Sequence, residues 1–290
     1  MKEGKYYDVS RSRLIGDADG CAYAEWGERF RACPFCIHPS GFPIFVPPSA
    51  IQASDEYAEG DPYTVDLAGS PFHQRRLECT LELLRLAIPG RPAARILDIG
   101  CGAGHITNFI QREFPSSEVT GLDYSVSAVE YAVTHFPGID FVAADAYQPP
   151  FPPGYFDVVV CNNLWEHVPD PLHLLKVLRG ILAPSGSVII STPSRYRLTN
   201  LLAALQGKNL AKASHHVTEY SVGQIIEQLT YGKFQVLKCY SKPIKEQPRG
   251  IKGRLAYWVI GPVLRAYLRL IRSHHTLEGT VFFLARKTGE

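Results

Sequence analysis

Three glycines at every second position stand where an apolar segment gives way to an amphipathic one. The stretch is RILDIGCGAGHIT, residues 95–107, with glycine at Gly100, Gly102 and Gly104. Glycine accepts positive φ angles and lets backbone N–H groups approach a ligand closely. A dinucleotide site would need G-x-G-x-x-G, but His105 occupies the position of its third glycine. The G-x-G-x-G turn, with Asp98 ahead of it, therefore predicts a site for a different ligand.

A second acidic residue, Asp123, ends the next apolar segment, VTGLDYS. Ligands of an open parallel sheet bind beyond the carboxyl ends of its strands. A carboxylate there can accept hydrogen bonds from both hydroxyls of a ribose, and Tyr124 beside it can lie against an adenine. The alternative is that Asp98, Asp123 and Asp145, which follows a third apolar segment, only cap strand ends. Three carboxylates on successive strand ends beside a glycine turn favour the ligand site.

Residues suited to proton transfer occur in the segment NNLWEHVPDP, which contains Glu166 and His167. The pKa of an unperturbed histidine lies near neutrality, so His167 is a candidate general base. The alternative is that His167 caps or packs against the following helix. A second polar segment, SHHVTEYSVGQ, supplies His215, His216 and Glu219. These are candidate substrate contacts, or simply parts of a polar loop ahead of a helix cap.

Helical and extended segments must position these residues, and they alternate from about residue 70 onward. Leucines spaced from Leu77 and Leu81 onward predict a first amphipathic helix, which begins at Pro71 and ends before Pro89. Further strands are predicted at 95–100, 118–123, 140–144, 156–162, 187–192, 233–240 and 280–286, and helices at 104–114, 125–135, 171–182 and 221–229. Strands alternating with helices form βαβ crossovers, so we predict an α/β fold with helices on both faces of a parallel sheet.

The glycine turn, the acidic strand ends and the order of elements resemble class I S-adenosylmethionine-dependent methyltransferases over roughly residues 70–287. The chain is most similar to the small-molecule branch that includes ubiquinone- and menaquinone-pathway methyltransferases. The resemblance implies a Rossmann-like, seven-stranded, mostly parallel sheet whose last strand, GTVFFLARK, is antiparallel. It also implies a methyltransferase domain at 71–290, with lid insertions at about 194–219 and 242–275, after an irregular N-terminal segment at 1–70.

The resemblance assigns the cofactor S-adenosylmethionine to the glycine turn, with the methionine end of the cofactor against the glycines. Asp145 is then the residue that accepts from the adenine amino group, and the Ala146 backbone completes that contact. The implied cofactor contacts are Asp98, Gly100, Gly102, Gly104, Asp123, Tyr124, Asp145, Ala146 and Asn162.

The catalytic candidates are Glu166, His167 and His216. Ubiquinone-pathway O-methyltransferases, which this segment resembles, hold a divalent ion with the pattern Glu-x-x-Glu-His. Asn163 stands here where the first glutamate of that pattern would be. Asparagine is a neutral and poorer ligand for Mg²⁺, so the substitution argues against a metal at this position.

Composition indicates an ordinary globular protein: 46% of residues are hydrophobic, 20% are charged and the formal net charge is +2. This charge does not indicate a nucleic-acid-binding protein. The N-terminus lacks the apolar core of a secretory signal, and no apolar run approaches the roughly 20 residues of a membrane span. Seven cysteines scattered over the chain favour reduced thiols and a cytoplasmic location.

The stretch CPFCIH near the N-terminus places Cys33, Cys36 and His38 at the spacing of a zinc knuckle, with Cys21 available as a fourth ligand. No second C-x-x-C is present and the spacing to Cys21 is unusual. Reduced, buried cysteines are therefore the alternative to a structural zinc.

The segment Lys242–Arg272 carries eight basic residues against the single acidic residue Glu246. Helical spacing places Arg265, Arg269 and Arg272 on one face, with leucine and tyrosine on the other. Such a helix either lies in an anionic membrane interface or covers the active site as a lid. A membrane-bound helix would favour a lipid, quinone or lipid-linked acceptor.

These observations together predict transfer of a methyl group from S-adenosylmethionine to an oxygen of a small or lipid-like acceptor. The segment NNLWEH lacks the Asn-Pro-Pro-aromatic turn of adenine and glutamine-amide methyltransferases. Cys161 lacks the preceding proline of the cytosine-C5 group. No nucleic-acid partner is therefore predicted. The alternatives are a non-catalytic S-adenosylmethionine-binding regulatory subunit and an RNA methyltransferase.

Overall fold

The computed structural model describes residues 5–8, 13–17, 36–46, 70–90, 93–210, 216–243 and 255–289, with backbone only for 5–8, 13–17 and 36–37. The strands are β1 (Lys5–Asp8), β2 (Arg13–Asp17), β3 (Cys36–Ile37), β4 (Pro43–Ile44), β5 (Arg95–Ile99), β6 (Glu118–Asp123), β7 (Asp140–Ala143), β8 (Phe156–Asn162), β9 (Leu182–Pro193), β10 (Phe234–Tyr240) and β11 (Thr280–Lys287). The helices are α1 (Pro71–Ala87), α2 (His105–Glu113), α3 (Val126–His135), α4 (Pro171–Ile181), α5 (Leu198–Leu205), α6 (Val222–Tyr231) and α7 (Gly261–Leu270), which continues a π-helical turn at Ala256–Ile260.

The described strands form one nine-stranded sheet in the order β10-β11-β9-β8-β5-β6-β7-β4-β3, beside a separate β1–β2 hairpin. Strands β5 to β9 pair in parallel. Strand β11 lies antiparallel between β9 and β10. The predicted seven-stranded sheet with an antiparallel last strand is confirmed within this larger sheet.

Two strands that the sequence analysis does not predict, β3 and β4, extend the sheet beyond β7. Ile44 pairs in parallel with Ala143, and the Phe45 amide donates to the Ala143 carbonyl at 2.7 Å. Ile44 is buried in a cluster that includes Phe141 of β7. Each added strand is two residues long, and β4 begins with a proline, so no alternating pattern could reveal them.

Both faces of the sheet are buried, as strand β8 shows. Val158 and Val160 belong to the cluster formed with α1 and α2. Val159 and Cys161 belong to the cluster formed with α4 and α6. Successive residues of a strand point to opposite faces, so β8 is covered on both sides, as in other parallel sheets.

Helix α1 is confirmed, but its buried face differs from the predicted one. Leu77 and Leu81 are only half-buried. The fully buried residues of α1 are Cys79, Thr80, Leu83 and Leu84. The inward face is therefore rotated relative to the leucine spacing, and it directs Thr80 toward β8, where its hydroxyl contacts Asn162.

The segment 255–271 is helical, but the predicted basic face is wrong. Arg265 is half-buried, and its Nε donates to Glu278 Oε1 at 2.8 Å. Arg272 lies beyond the end of α7 with φ 53°. The Ser273 amide donates back to the Leu268 carbonyl at 2.9 Å, which closes the helix end before Arg272 can continue it.

The outward side of this segment is apolar instead. The large apolar residues exposed there are Leu255, Trp258, Val259, Val263, Tyr267, Leu270 and Ile271, which we call the α7 apolar surface. Within the described part of the chain, no helix has both the length and the apolar character required to cross a membrane.

Candidate active site

The glycine turn joins β5 to α2 at the carboxyl edge of the sheet. Its glycines all have positive φ: 74° at Gly100, 53° at Gly102 and 77° at Gly104. The amides of Gly100 and Cys101 donate to the Leu122 carbonyl at 2.8 and 3.0 Å, which ties the turn to β6. This is the left-handed backbone that favours glycine.

The space beside two of these glycines is filled by the protein itself. A Cβ at Gly104 would lie 2.8 Å from both the Ala132 Cβ and a ring carbon of Phe141. A Cβ at Gly100 would lie 3.2 Å from Leu164. The sequence analysis attributes the glycines to the approach of a ligand. The structure adds a second reason, which is the close packing of the turn against its own neighbours.

Asp98 lies beneath the turn, with 1% of its surface exposed. Thr107 Oγ1 donates to Asp98 Oδ2 at 2.7 Å, which links the end of β5 to the first turn of α2. Burial raises the pKa of Asp98 to about 6, and the nearby charge of Arg76 opposes that shift. The carboxyl therefore supports the turn from below, and its direct contact with a cofactor stays a prediction.

Asp123 fixes two turns at the end of β6. Its Oδ2 accepts a hydrogen bond from the Gly102 amide at 2.7 Å, and its Oδ1 accepts one from the Ser125 amide at 2.9 Å. The adjacent Tyr124 is 41% exposed. Because each carboxylate oxygen can accept more than one hydrogen bond, these contacts leave capacity for the predicted ribose hydroxyls.

Asp145 and Ala146, both half-buried, follow β7. The Ala144 amide donates to the Asp123 carbonyl at 2.9 Å, so the ends of β6 and β7 are adjacent. Asp145 Oδ1 accepts from the Tyr147 amide at 2.8 Å, which fixes the carboxylate in its turn. The structure thus brings the glycine turn, Asp123 and Asp145 together along one edge of the sheet.

Asn162, the last residue of β8, belongs to a buried polar network. Its Oδ1 accepts hydrogen bonds from Thr80 Oγ1 at 3.2 Å and Ser191 Oγ at 2.9 Å. Among the described residues its buried Nδ2 has no hydrogen-bond partner. An orphaned donor of this kind is costly unless something pairs with it. Asn162 therefore remains a candidate ligand contact.

The three catalytic candidates come together just beyond β8. Glu166, His167 and His216 each present one ligand atom, and these atoms all lie within 4.8 Å of one another. The rings of His167 and His216 meet edge to face with centroids 5.1 Å apart. Residues predicted separately from two distant segments thus form one cluster, which we call the Glu-His-His cluster.

Glu166 is fully buried, and its two carboxylate oxygens have different surroundings. Oε2 accepts a hydrogen bond from Thr192 Oγ1 at 3.0 Å. Oε1 is buried and has no hydrogen-bond partner within the described part of the chain. Burial raises the pKa of Glu166 to about 7. A buried carboxylate oxygen without a partner, beside two imidazoles, suits a divalent ion, so these residues fit a metal.

His216 is held by a chain of charged contacts. Its Nδ1 lies 3.1 Å from Glu219 Oε1, and Arg197 donates to Glu219 Oε2 at 2.6 Å. Glu219 is 4% exposed. A carboxylate behind an imidazole fixes the ring orientation and leaves the other ring nitrogen for a ligand or substrate. His215, the neighbouring candidate, lies outside the described residues.

Sequence reasoning missed several residues that support the site. The charge of Arg76, on α1, lowers the pKa of both Asp98 and Glu166, although burial outweighs it at each. Thr80 on α1 and Thr192 on β9 hydrogen-bond Asn162 and Glu166. A signal existed for α1, since an arginine and a threonine four residues apart share its inward face.

The zinc-knuckle prediction falls mostly outside the described residues. Cys21 and Cys33 lie there, and only the backbone of Cys36 is described. His38 stacks on Phe42 with centroids 4.5 Å apart, and its Nδ1 accepts from the Ser40 amide at 3.2 Å. The structural zinc stays a prediction.

The strand order, the antiparallel β11 and the turn after β5 define a Rossmann-like α/β protein with its ligand site at the carboxyl edge of the sheet. A family model described as "Methyltransferase domain" matches residues 72–237, more than half of the chain. The chain therefore belongs to this methyltransferase domain family, as its glycine turn and acidic strand ends predicted.

Two curated relatives name related activities. The ubiquinone biosynthesis O-methyltransferase of Xanthomonas campestris is 30% identical over 151 residues, which cover 47% of this chain and 59% of that protein. The trans-aconitate 2-methyltransferase of Methylobacterium radiotolerans is 31% identical over 167 residues, covering 55% and 62%. The chain thus aligns with about three fifths of each relative.

A solved structure confirms the fold. The crystal structure of a SAM-dependent methyltransferase from Archaeoglobus fulgidus superimposes with a TM-score of 0.51 at 18% sequence identity. The superposition covers 76% of this chain and 96% of that one. At this identity the likeness concerns the fold alone.

Proposed function

We propose that the chain transfers a methyl group from S-adenosylmethionine to an oxygen of a small or lipophilic acceptor. The observation that carries the proposal is the Glu-His-His cluster at the end of β8, the strand beside β5 and its glycine turn. Leu164, in the loop that carries the cluster, packs against Gly100 of the turn. A cofactor over the turn and an acceptor at the cluster would therefore be neighbours.

Methyl transfer to a hydroxyl requires alignment and removal of a proton. The bond from the methyl carbon to the sulfonium sulfur breaks as the bond to the acceptor oxygen forms, and the cofactor leaves as a neutral sulfide. Holding the two reactants in line supplies much of the rate acceleration. We assign the proton to His167, and acceptor binding to Glu166 and His216. A divalent ion bound at the cluster would lower the pKa of the acceptor hydroxyl.

The cofactor contacts are proposed as the sequence assigned them. Asp123 would accept from the ribose hydroxyls and Asp145 from the adenine amino group. Support comes from their positions, since both carboxylates lie at adjacent strand ends beside the turn and are fixed by backbone amides. Tyr124 has the exposure that stacking on an adenine requires.

We also propose that the acceptor is lipophilic and is reached at a membrane surface. The α7 apolar surface presents seven large apolar side chains on one short segment. Arg269 and Arg272 are exposed beside it. Apolar and aromatic residues flanked by cations are the features that bind anionic lipid interfaces. Gly261, at the start of α7, packs against Leu198 of α5, so the two predicted lid segments touch.

Transfer of labelled methyl groups tests the proposed activity. The purified chain is incubated in a single turnover with methyl-labelled S-adenosylmethionine and cell extract, then separated into lipid, small-molecule, RNA and protein fractions. We expect label in the lipid or small-molecule fraction, at least tenfold less of it with His167→Ala, and none with Asp123→Ala. Cofactor binding without labelled product in any fraction would favour a regulatory subunit, and label in RNA would favour an RNA methyltransferase.

A further inference from the structure

We infer that Glu166, His167 and His216 bind one divalent transition-metal ion through two imidazole nitrogens and one carboxylate oxygen. The inference rests on the proposed function because it concerns the same cluster. It adds the identity of the third ligand, His216, and the class of metal that the three ligands select.

The positions of the donors support a shared ion. Their ligand atoms lie within 4.8 Å of one another, a separation that a single ion can bridge. Glu166 Oε1 is buried and lacks a hydrogen-bond partner among the described residues. Thr192 donates to the other oxygen, Oε2, and so orients the carboxylate. A buried, oriented and unpaired carboxylate oxygen is what a metal site provides and what a plain hydrophobic core avoids.

His216 has the support expected of a metal-binding histidine. Glu219 lies against its Nδ1, and Arg197 in turn pairs with Glu219. This arrangement leaves Nε2 facing the cluster. Metal-bound histidines usually contact a carboxylate, carbonyl or water through their second nitrogen, and such partners raise the basicity of the ligand.

The donor set determines which metal fits. Asn163 offers no carboxylate, and its Oδ1 accepts a hydrogen bond from Ser191 Oγ at 3.1 Å. The site therefore has one oxygen and two nitrogen donors. Mg²⁺ prefers oxygen ligands and keeps several waters, whereas imidazole suits Zn²⁺, Fe²⁺, Co²⁺ and Ni²⁺. Two imidazoles and one carboxylate leave coordination positions open for an acceptor oxygen.

The test uses Co²⁺ as a spectroscopic probe on the metal-stripped full chain. We expect about one Co²⁺ bound per chain with weak visible bands. Bands of sulfur-to-cobalt charge transfer should be absent, because they would report ligation at Cys33 and Cys36 instead. Millimolar Mg²⁺ should not displace the Co²⁺, while Zn²⁺ should displace it.

Variants separate this site from other histidines. His216→Ala should weaken Co²⁺ binding at least tenfold, and Glu219→Gln should weaken it by a smaller factor, since the second partner only orients the ring. His135→Ala, at an exposed histidine outside the cluster, should bind as wild type. Asn163→Glu should add an oxygen ligand and raise the affinity for Mg²⁺. Circular dichroism checks that each variant is folded.

Three results would overturn the inference: no visible Co²⁺ bands, bands of thiolate ligation only, or unchanged affinity in His216→Ala. Failure of the proposed function is distinguishable from these results. Metal binding as expected, without labelled methyl product, would contradict the methyltransferase proposal and leave the metal site standing. Methyl transfer by the metal-stripped chain, without Co²⁺ binding, would do the reverse.

Discussion

The amide of Val217 donates to the carbonyl oxygen of Glu166 at 2.8 Å. The Thr218 amide reaches the same oxygen at 3.2 Å. These two backbone bonds fasten the loop before α6 to the loop after β8. His216 is thereby held beside His167 whatever side chains the two loops carry. Substitution of a cluster side chain should accordingly change chemistry more than it changes the path of the backbone.

The first prediction concerns the cofactor. Asp123→Ala removes a charged acceptor from the predicted ribose site, and it also releases the amides of Gly102 and Ser125. We expect S-adenosylmethionine to bind at least tenfold more weakly, a loss of about 1.4 kcal/mol or more, measured by isothermal titration calorimetry.

The matched control for this prediction is Asp123→Asn. It keeps an oxygen that can accept from a backbone amide but lacks the charge, so an intermediate affinity is expected. The thermal midpoint of each variant shows how much of the effect is loss of the turn. An affinity for Asp123→Ala equal to wild type would contradict our placement of the ribose.

The second prediction concerns the reason for glycine at position 104. Gly104→Ala introduces both a left-handed non-glycine residue and a contact of 2.8 Å with Ala132 and Phe141. Gly138→Ala has the same backbone problem, with φ 88°, but its Cβ would meet nothing within 4 Å. We expect urea denaturation to show a loss of about 1–2 kcal/mol for Gly138→Ala.

Gly104→Ala should lose about 1–3 kcal/mol more, because overpacking adds to backbone strain. The difference between the two variants isolates packing. Equal losses would mean that the neighbours of Gly104 move aside easily. In that case the glycine would be needed for its backbone angle and for the ligand alone.

The third prediction is a dependence of stability on pH that arises from Asp98. Burial raises its folded-state pKa to about 6, against an ordinary value of 3.8. The folded chain therefore keeps a proton that the unfolded chain releases. The stability associated with Asp98 is highest below about pH 4 and is lost as the pH rises toward about 6 and beyond. The full loss is about 3 kcal/mol.

Asp98→Asn tests this because the amide does not titrate and can still accept from Thr107. The free energy of unfolding of wild type relative to this variant should fall by up to about 3 kcal/mol between pH 4 and pH 7. The comparison cancels other titrating groups; Arg76 and Asp123, the charged neighbours of Asp98, are present in both proteins. A constant difference across this range would show that Asp98 is ionised throughout.

Much of the fold was predictable because buried strands and amphipathic helices leave strong periodic patterns. Strand β6 was predicted at its observed limits, Glu118–Asp123. Strand β4 was not, because two residues carry no pattern and its pairing with Ala143 depends on a distant part of the chain. The inward face of α1 was misjudged for a related reason. Leucines on both sides of the helix obscured which stripe faces the sheet.

The site was predictable residue by residue but not in its connections. The type of residue identified Glu166, His167 and His216 as candidates. The sequence could not show that they share one cluster, because the loop carrying His216 is joined to the others only through backbone hydrogen bonds. Support from Arg197 and Thr192 is a matter of tertiary packing, for which a single sequence gives no local signal.

The fourth prediction concerns the α7 apolar surface. Trp258, Val263 and Leu270 are 67%, 64% and 81% exposed, so they contribute little to the folded core. A membrane interface would bury these side chains, and each exposed cation beside them adds about 1 kcal/mol near anionic lipid. The wild-type chain should therefore sediment with anionic liposomes at low salt and be released at high salt. Changing these three residues together to serine should reduce the bound fraction at least tenfold without altering S-adenosylmethionine affinity. Tyr231→Ser is the matched control, because Tyr231 is 77% exposed but lies outside this surface, and it should sediment as wild type. Arg269→Glu should weaken sedimentation and reduce its dependence on salt. If the wild-type chain ignores anionic liposomes at low salt, the surface does not bind membranes. A water-soluble acceptor would then replace the lipophilic one.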